Sequence, residues 1–152
     1  MDLLSEQQSA YVEEMGLFYE RSGHQHSLGK LIGVLLILER PLTQEDLMRL
    51  LNLSRTSVSS GLRLLEHMDL VEQVSEPGDR KRHYQIRSDI GHRLLHAVFQ
   101  EIEDSLQMYT KAERLAEPGA RRRLAGIREL ISFLKEHTDK ALTEWHEQPR
   151  ER

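Results

Sequence analysis

The stretch TQEDLMRLLNLSRTSVSSGLRLLEHM, residues 43–68, decides how the rest of the chain is read. A helix start occurs in it twice. Thr43 is followed three residues later by Asp46, the spacing of a capping box, and Leu42 and Leu47 stand where a hydrophobic staple would close over that cap. Leu47, Leu50 and Leu51 then form an apolar stripe. After Asn52 and Leu53 the same signals return: Ser54 is placed to cap, Leu53 and Val58 to staple, and Val58, Leu62 and Leu65 share one face. The reading predicts two short helices joined by a turn of three to four residues.

Outward toward the N-terminus, Ser5-Glu6-Gln7-Gln8 is a further capping-box pattern, and Tyr11, Met15 and Phe18 extend one helix to about Arg21. A second helix, Ser27 to Glu39, is apolar almost all round, which places it at the centre of a core, and Pro41 resets the chain. Toward the C-terminus, Leu70 to Glu76 loses the helical period. Pro77-Gly78-Asp79 marks a turn and His83 to Ile86 is a second extended run, so a β-hairpin with a basic tip is expected. A long helix starts near Ser88-Asp89 and breaks at Glu117-Pro118-Gly119. The last runs from about Ala120 to Trp145, its positions Leu124, Ile127, Ile131, Leu134, Thr138, Ala141 and Trp145 alternating three and four apart. Such a stripe requires a partner, and Leu124, Ile127, Ile131, Leu134 and Trp145 are the expected dimerisation residues.

Bulk composition narrows the function. The 152 residues contain no cysteine, which excludes disulfides, thiolate metal sites and cysteine nucleophiles. The longest apolar run, Val34 to Leu38, is far too short to cross a bilayer, and the N-terminus lacks the basic region of a secretory signal, so no membrane partner and a cytoplasmic location are expected. The net charge is −4, yet Pro77 to Arg93 carries five basic residues against two acidic ones, so positive charge is concentrated at the hairpin. No glycine-rich phosphate loop, nucleophile elbow or persuasive carboxylate pair is present. Neither an enzyme nor a cofactor is expected. His92 and His96 stand one turn apart, and His24 and His26 sit in one loop. Two ligands do not make a metal site, and no metal is expected.

The helix after Ser54 suits a DNA groove. With Val58, Leu62 and Leu65 buried, its other faces carry Arg55, Thr56, Ser59, Ser60 and Arg63, and its first acid is Glu66. Short hydroxyls permit close approach to phosphates and base edges, and arginine can fork onto guanine. The hairpin tip Gly78-Asp79-Arg80-Lys81-Arg82 follows at once, a charged wing beside a recognition helix. Candidate DNA-binding residues are therefore Ser54, Arg55, Thr56, Ser57, Ser59, Ser60, Arg63, Arg80, Lys81 and Arg82. The competing reading is a winged-helix adaptor that holds another protein and has lost DNA binding, in keeping with the acidic total charge.

Residues from about Val12 to Ile86 resemble the MarR-type winged-helix regulators, most closely their GbsR-like branch. The resemblance is carried by Glu14-Met15-Gly16-Leu17, Gly29 to Leu35, Pro41 to Leu47, Leu53 to Ser59 and Gly78-Asp79-Arg80-Lys81. It implies a homodimer whose lobes occupy successive half-sites of a near-palindromic operator, acting as a repressor tuned by a small-molecule effector. It also implies that Ser54 to Arg63 form the recognition helix, that Arg80 stands at the wing tip, and that Asp79 orients a neighbouring arginine. The expected layout is mainly α, with residues 1–26 as the N-terminal helix of a dimerisation region, 27–87 as a winged helix-turn-helix DNA-binding domain, and 88–152 as the C-terminal helical dimerisation region.

Overall fold

A computed structural model describes residues 4–75 and 77–147, the side chains of 146 and 147 excepted. The outer ends of the expected 1–26 and 88–152 regions, and Glu76 at the end of the expected first wing strand, lie outside the described residues. The chain divides into two compact units, Met1–Ile90 and Gly91–Arg152.

In the first unit, helix α1 (Glu6–Arg21) starts where the sequence places it. The Ser5 hydroxyl accepts the Gln8 N–H at 3.2 Å while the Gln8 side chain accepts the Ser5 N–H at 2.9 Å. Helix α2 (His26–Ile37) buries Leu28, Leu31, Ile32, Val34 and Leu35 at the core, although Leu36 is turned outward. It stops two residues short of the expected Glu39. Leu38 is already extended, at φ −107° and ψ 124°, because the chain must straighten to deliver Leu42 and Thr43 to a sheet. Those two residues form strand β1 (Leu42–Thr43). Helices α3 (Gln44–Leu51) and α4 (Arg55–His67) follow, then strands β2 (Val71–Val74) and β3 (His83–Ile86).

The sheet is antiparallel in the order β1-β3-β2, with Leu42 opposite Tyr84, Thr43 opposite His83, and Val71 opposite Ile86. A third strand was not expected. Leu42, fully buried, closes the sheet as well as covering the α3 cap. Leu31, Val34, Leu42, Leu47, Val58, Leu62, Leu65 and Leu70 are the fully buried centre, so α2, α3, α4 and the sheet share one core.

Helices α1 and α2 pack through glycines. A Cβ on Gly29 would lie 2.3 Å from the Met15 carbonyl oxygen, and one on Gly33 would lie 3.1 Å from Met15 Cβ. The first approach is to backbone, which no side-chain rotation can relieve. Alanine is intrinsically the better helix former by about 1 kcal/mol, so a net loss of stability in Gly29→Ala isolates the clash. The expected loss is about 2 kcal/mol, read as a lower urea midpoint at unchanged slope; a midpoint equal to or above the wild type would mean that α1 shifts away freely. At the same seam His26 reaches across to α1. Its Nε2 lies 2.7 Å from Glu13 Oε1 and its Nδ1 3.0 Å from Glu20 Oε2, over a Gly16 whose Cβ would strike the ring.

The second unit continues helix α5 (Ile90–Leu115), turns at Ala116 and Glu117, and returns as α6 (Pro118–Glu147). Arg128 Nε meets Glu113 at 2.7 Å and Lys135 Nζ meets Glu103 at 3.0 Å, fixing an antiparallel register between the two helices. Among the described residues none from Gly91 onward is buried. Leu124 and Ile131 are half-buried, while Ile127, Leu134 and Trp145 are exposed. Val98, Met108, Leu115, Leu130 and Phe133 are more than half exposed. No helix among the described residues is long and apolar enough to cross a membrane.

Candidate nucleic-acid interface

The α3–α4 corner is built by three local devices. Thr43 caps α3: its hydroxyl accepts the Asp46 N–H at 3.1 Å, and the Asp46 carboxylate accepts both the Thr43 N–H, at 3.1 Å, and the Thr43 hydroxyl, at 2.7 Å. Partial burial opposes ionisation of Asp46, but the Thr43 bonds, with Arg49 beside them, hold its carboxyl below the usual range. Asn52 then takes a left-handed conformation, φ 50° and ψ 47°, which turns the chain in three residues. Ser54 caps α4, its hydroxyl accepting the Ser57 N–H at 3.1 Å.

The presentation of α4 depends on Gly61. A Cβ there would fall 2.3 Å from Leu31 Cδ1, a fully buried atom group of α2, so glycine lets α4 lie close on the core with its opposite face outward. Arg55, Thr56, Ser60 and Arg63 are exposed on that face, Ser57 and Ser59 are half-buried, and Ser54 is exposed at the cap. The hydroxyls are not equivalent. Ser54 and Ser57 bond each other at 2.9 Å, and Ser60 donates to the Ser57 carbonyl at 3.2 Å. The side-chain hydroxyls of Thr56 and Ser59 make no hydrogen bond to the described residues, which leaves them available for an outside partner.

The wing is shaped from within. Gly78 sits at φ +85°, where only glycine is unstrained. Asp79 is directed not to an arginine, as the resemblance implied, but to the wing's own backbone: its Oδ1 accepts the Lys81 N–H at 2.9 Å, and its Oδ2 lies 3.5 Å from His83 Nε2. A short carboxylate reaches an N–H two residues on at almost no entropic cost, so this turn outcompetes a long, mobile arginine. The ring of His83, itself buried, also meets the Lys81 carbonyl through Nδ1 at 3.1 Å.

Helix and wing meet at one cleft of about 350 Å³, lined by Gln44, Glu45, Ser59, Arg63, Glu66, Lys81 and Arg82. Four of the ten candidate residues, Ser59, Arg63, Lys81 and Arg82, are thus brought together from elements eighteen or more residues apart, whereas Ser54, Arg55, Thr56, Ser57, Ser60 and Arg80 do not line the cleft. Gln44 braces the corner by donating to the Arg55 carbonyl at 3.3 Å, and Glu45 pairs with Lys81 Nζ at 3.0 Å. The hydrogen bond and charge of Glu45 hold the Lys81 ammonium above the usual lysine range. Gln44, Glu45, Gly61 and His83 were missed in the sequence. A glycine on the otherwise apolar side of α4 was the one available signal. Among the described residues no group of three or more His, Cys, Asp or Glu is placed to hold a metal ion.

A helix pair with its second helix outward, a three-stranded sheet and a basic hairpin beside that helix define a winged helix-turn-helix protein. The profile of the MarR family matches residues 32–82. The chain is 26% identical over 136 residues to the HTH-type transcriptional regulator MmpR5 of Mycobacterium tuberculosis (strain ATCC 25618 / H37Rv), an alignment covering 87% of this chain and 82% of that protein. It also superposes on the crystal structure of a transcriptional regulator with a TM-score of 0.72 at 24% identity, covering 93% of this chain and 99% of the other. The superposition establishes the fold.

Proposed function

We propose that the chain is a cytoplasmic, homodimeric repressor of the GbsR-like branch that reads double-stranded DNA through α4 and the wing. The carrying observation is the pairing of an acid-free outward face, Arg55 to Arg63, with wing cations across one cleft. Hydroxyls and guanidinium groups at that spacing suit phosphates and base edges, and the wing cations suit the neighbouring backbone. The relative named as an HTH-type transcriptional regulator supports the same role. The second copy is supported by the second unit, whose apolar residues find no burial within it. A dimer puts two α4 helices on half-sites about 34 Å apart, and an effector bound in the dimer region would act by altering that spacing, so that only one helix docks at a time.

Hydroxyl-radical footprinting on DNA upstream of its own gene tests this reading. Two protected patches one helical turn apart are expected; a single patch contradicts the paired half-sites, and none contradicts DNA binding in favour of a protein adaptor. Arg80 is exposed at the wing tip, and among the described residues it pairs with no carboxylate. Arg80→Ala is therefore expected to weaken binding uniformly across sequences and to reduce the salt slope by about one unit per copy. An unchanged slope, measured by fluorescence anisotropy, would remove Arg80 from the interface.

A further inference from the structure

We propose that Glu45 is a positioning residue that withholds the wing lysine Lys81 from DNA, so that a duplex must displace a protein carboxylate before the wing engages fully. The proposal rests on the DNA-binding reading above and concerns the regulation of that same site. Of the wing cations, Lys81 is the one that meets a carboxylate of another element among the described residues: its Nζ lies 3.0 Å from Glu45 Oε2, across 36 residues of chain, at the lip of the α4–wing cleft. Arg80 and Arg82 meet no carboxylate among the described residues.

The surroundings of Glu45 make the pair a switchable one. Its neighbours are committed elsewhere, Gln44 to the Arg55 carbonyl and Asp46 to Thr43 and Arg49. Glu45 occupies the first turn of α3, where the helix dipole favours a carboxylate with or without Lys81 beside it. Lys81 is 58% and Glu45 56% exposed, so water and salt screen the pair and a phosphate can outbid it. Transfer of Lys81 to a phosphate leaves Glu45 facing the DNA backbone uncompensated. That carboxylate must then recruit a cation from solution, which offsets part of the counterion release from the DNA. Glu45 thereby lowers both affinity and salt dependence, and it does so through Lys81.

The test is a double-mutant cycle of Glu45→Gln and Lys81→Ala, read by fluorescence anisotropy across a salt series on a labelled duplex from upstream of the gene. Glutamine keeps the shape of an exposed side chain and removes its charge. In the Lys81 background, Glu45→Gln is expected to tighten binding about three- to tenfold and to steepen the salt slope by about 0.9 per copy. In the Lys81→Ala background the gain should fall below about twofold. Equal gains in both backgrounds, with the wild type binding steeply in salt, would make Glu45 a bystander negative charge and overturn the assignment while leaving the interface standing. Weaker binding by Glu45→Gln would make it a buttress of the wing and overturn the assignment too. A wild type with no salt-dependent binding would overturn the interface and this role together.

Discussion

A chain ending at Ile90 is expected to fold, to sediment as a monomer, and to bind its operator about 100- to 10,000-fold more weakly than the full chain. Every fully buried hydrophobic residue of the described structure lies between Val12 and Tyr84, so the first unit keeps its whole core when the second is removed. Ile90 packs partly against that core and is retained for that reason. The second unit, by contrast, offers 26- and 30-residue helices with no buried side chain among the described residues. Apolar stripes of that length, with Leu115 78% and Met108 66% exposed, are what the second copy of the proposed dimer would cover. In that dimer, losing them removes the tether that makes the second half-site contact intramolecular. Sedimentation equilibrium and anisotropy on one preparation decide the matter: a truncated chain that stays dimeric, or one that keeps its affinity, would contradict the assignment of the second unit.

Arg63→Ala carries the next largest expected effect. Arg63 is exposed on the outward face of α4, two turns in from the cap, and lines the cleft shared with Lys81 and Arg82. A bidentate arginine–guanine contact contributes about 1–3 kcal/mol of discrimination, a loss of about ten- to a hundredfold for each half-site. Alanine is a good helix former and Arg63 supports no core contact, so thermal stability should stay near that of the wild type. The variant should bind its operator and a scrambled duplex with similar affinity. Retained preference for the operator would place base reading elsewhere on α4, with Arg55 and Thr56 as the remaining exposed side chains of its first turn.

The helices of this protein are legible in the sequence because caps and apolar periods are local. Ser5 with Gln8, Thr43 with Asp46, and Ser54 with Ser57 each close within three residues, and each is found where the pattern put it. What escaped depends on partners distant in the chain. Two residues cannot show alternation, so β1 is a strand only by virtue of Tyr84 and His83 across the sheet. The end of α2 was overrun because Leu38 continues an apolar run, while the sheet requires it extended. Gly29 and Gly33 stand four apart on an apolar helix, a sign of close helix packing visible in principle, but apolar periodicity counts side chains and is blind to their absence. At the interface the side chains on one helix face were readable from the 3.6-residue period. The Glu45–Lys81 pair was not, because thirty-six residues and two intervening elements, α4 and β2, separate its members.

Fluorescence anisotropy of the full chain with DNA from upstream of its own gene, set against a scrambled duplex across a salt series, tests the central claim most directly. The account predicts tighter binding to the upstream duplex, with affinity falling steeply as salt rises because phosphate contacts release counterions. Weak binding to both duplexes, insensitive to salt, would contradict it and assign the wing and its cleft to a protein partner.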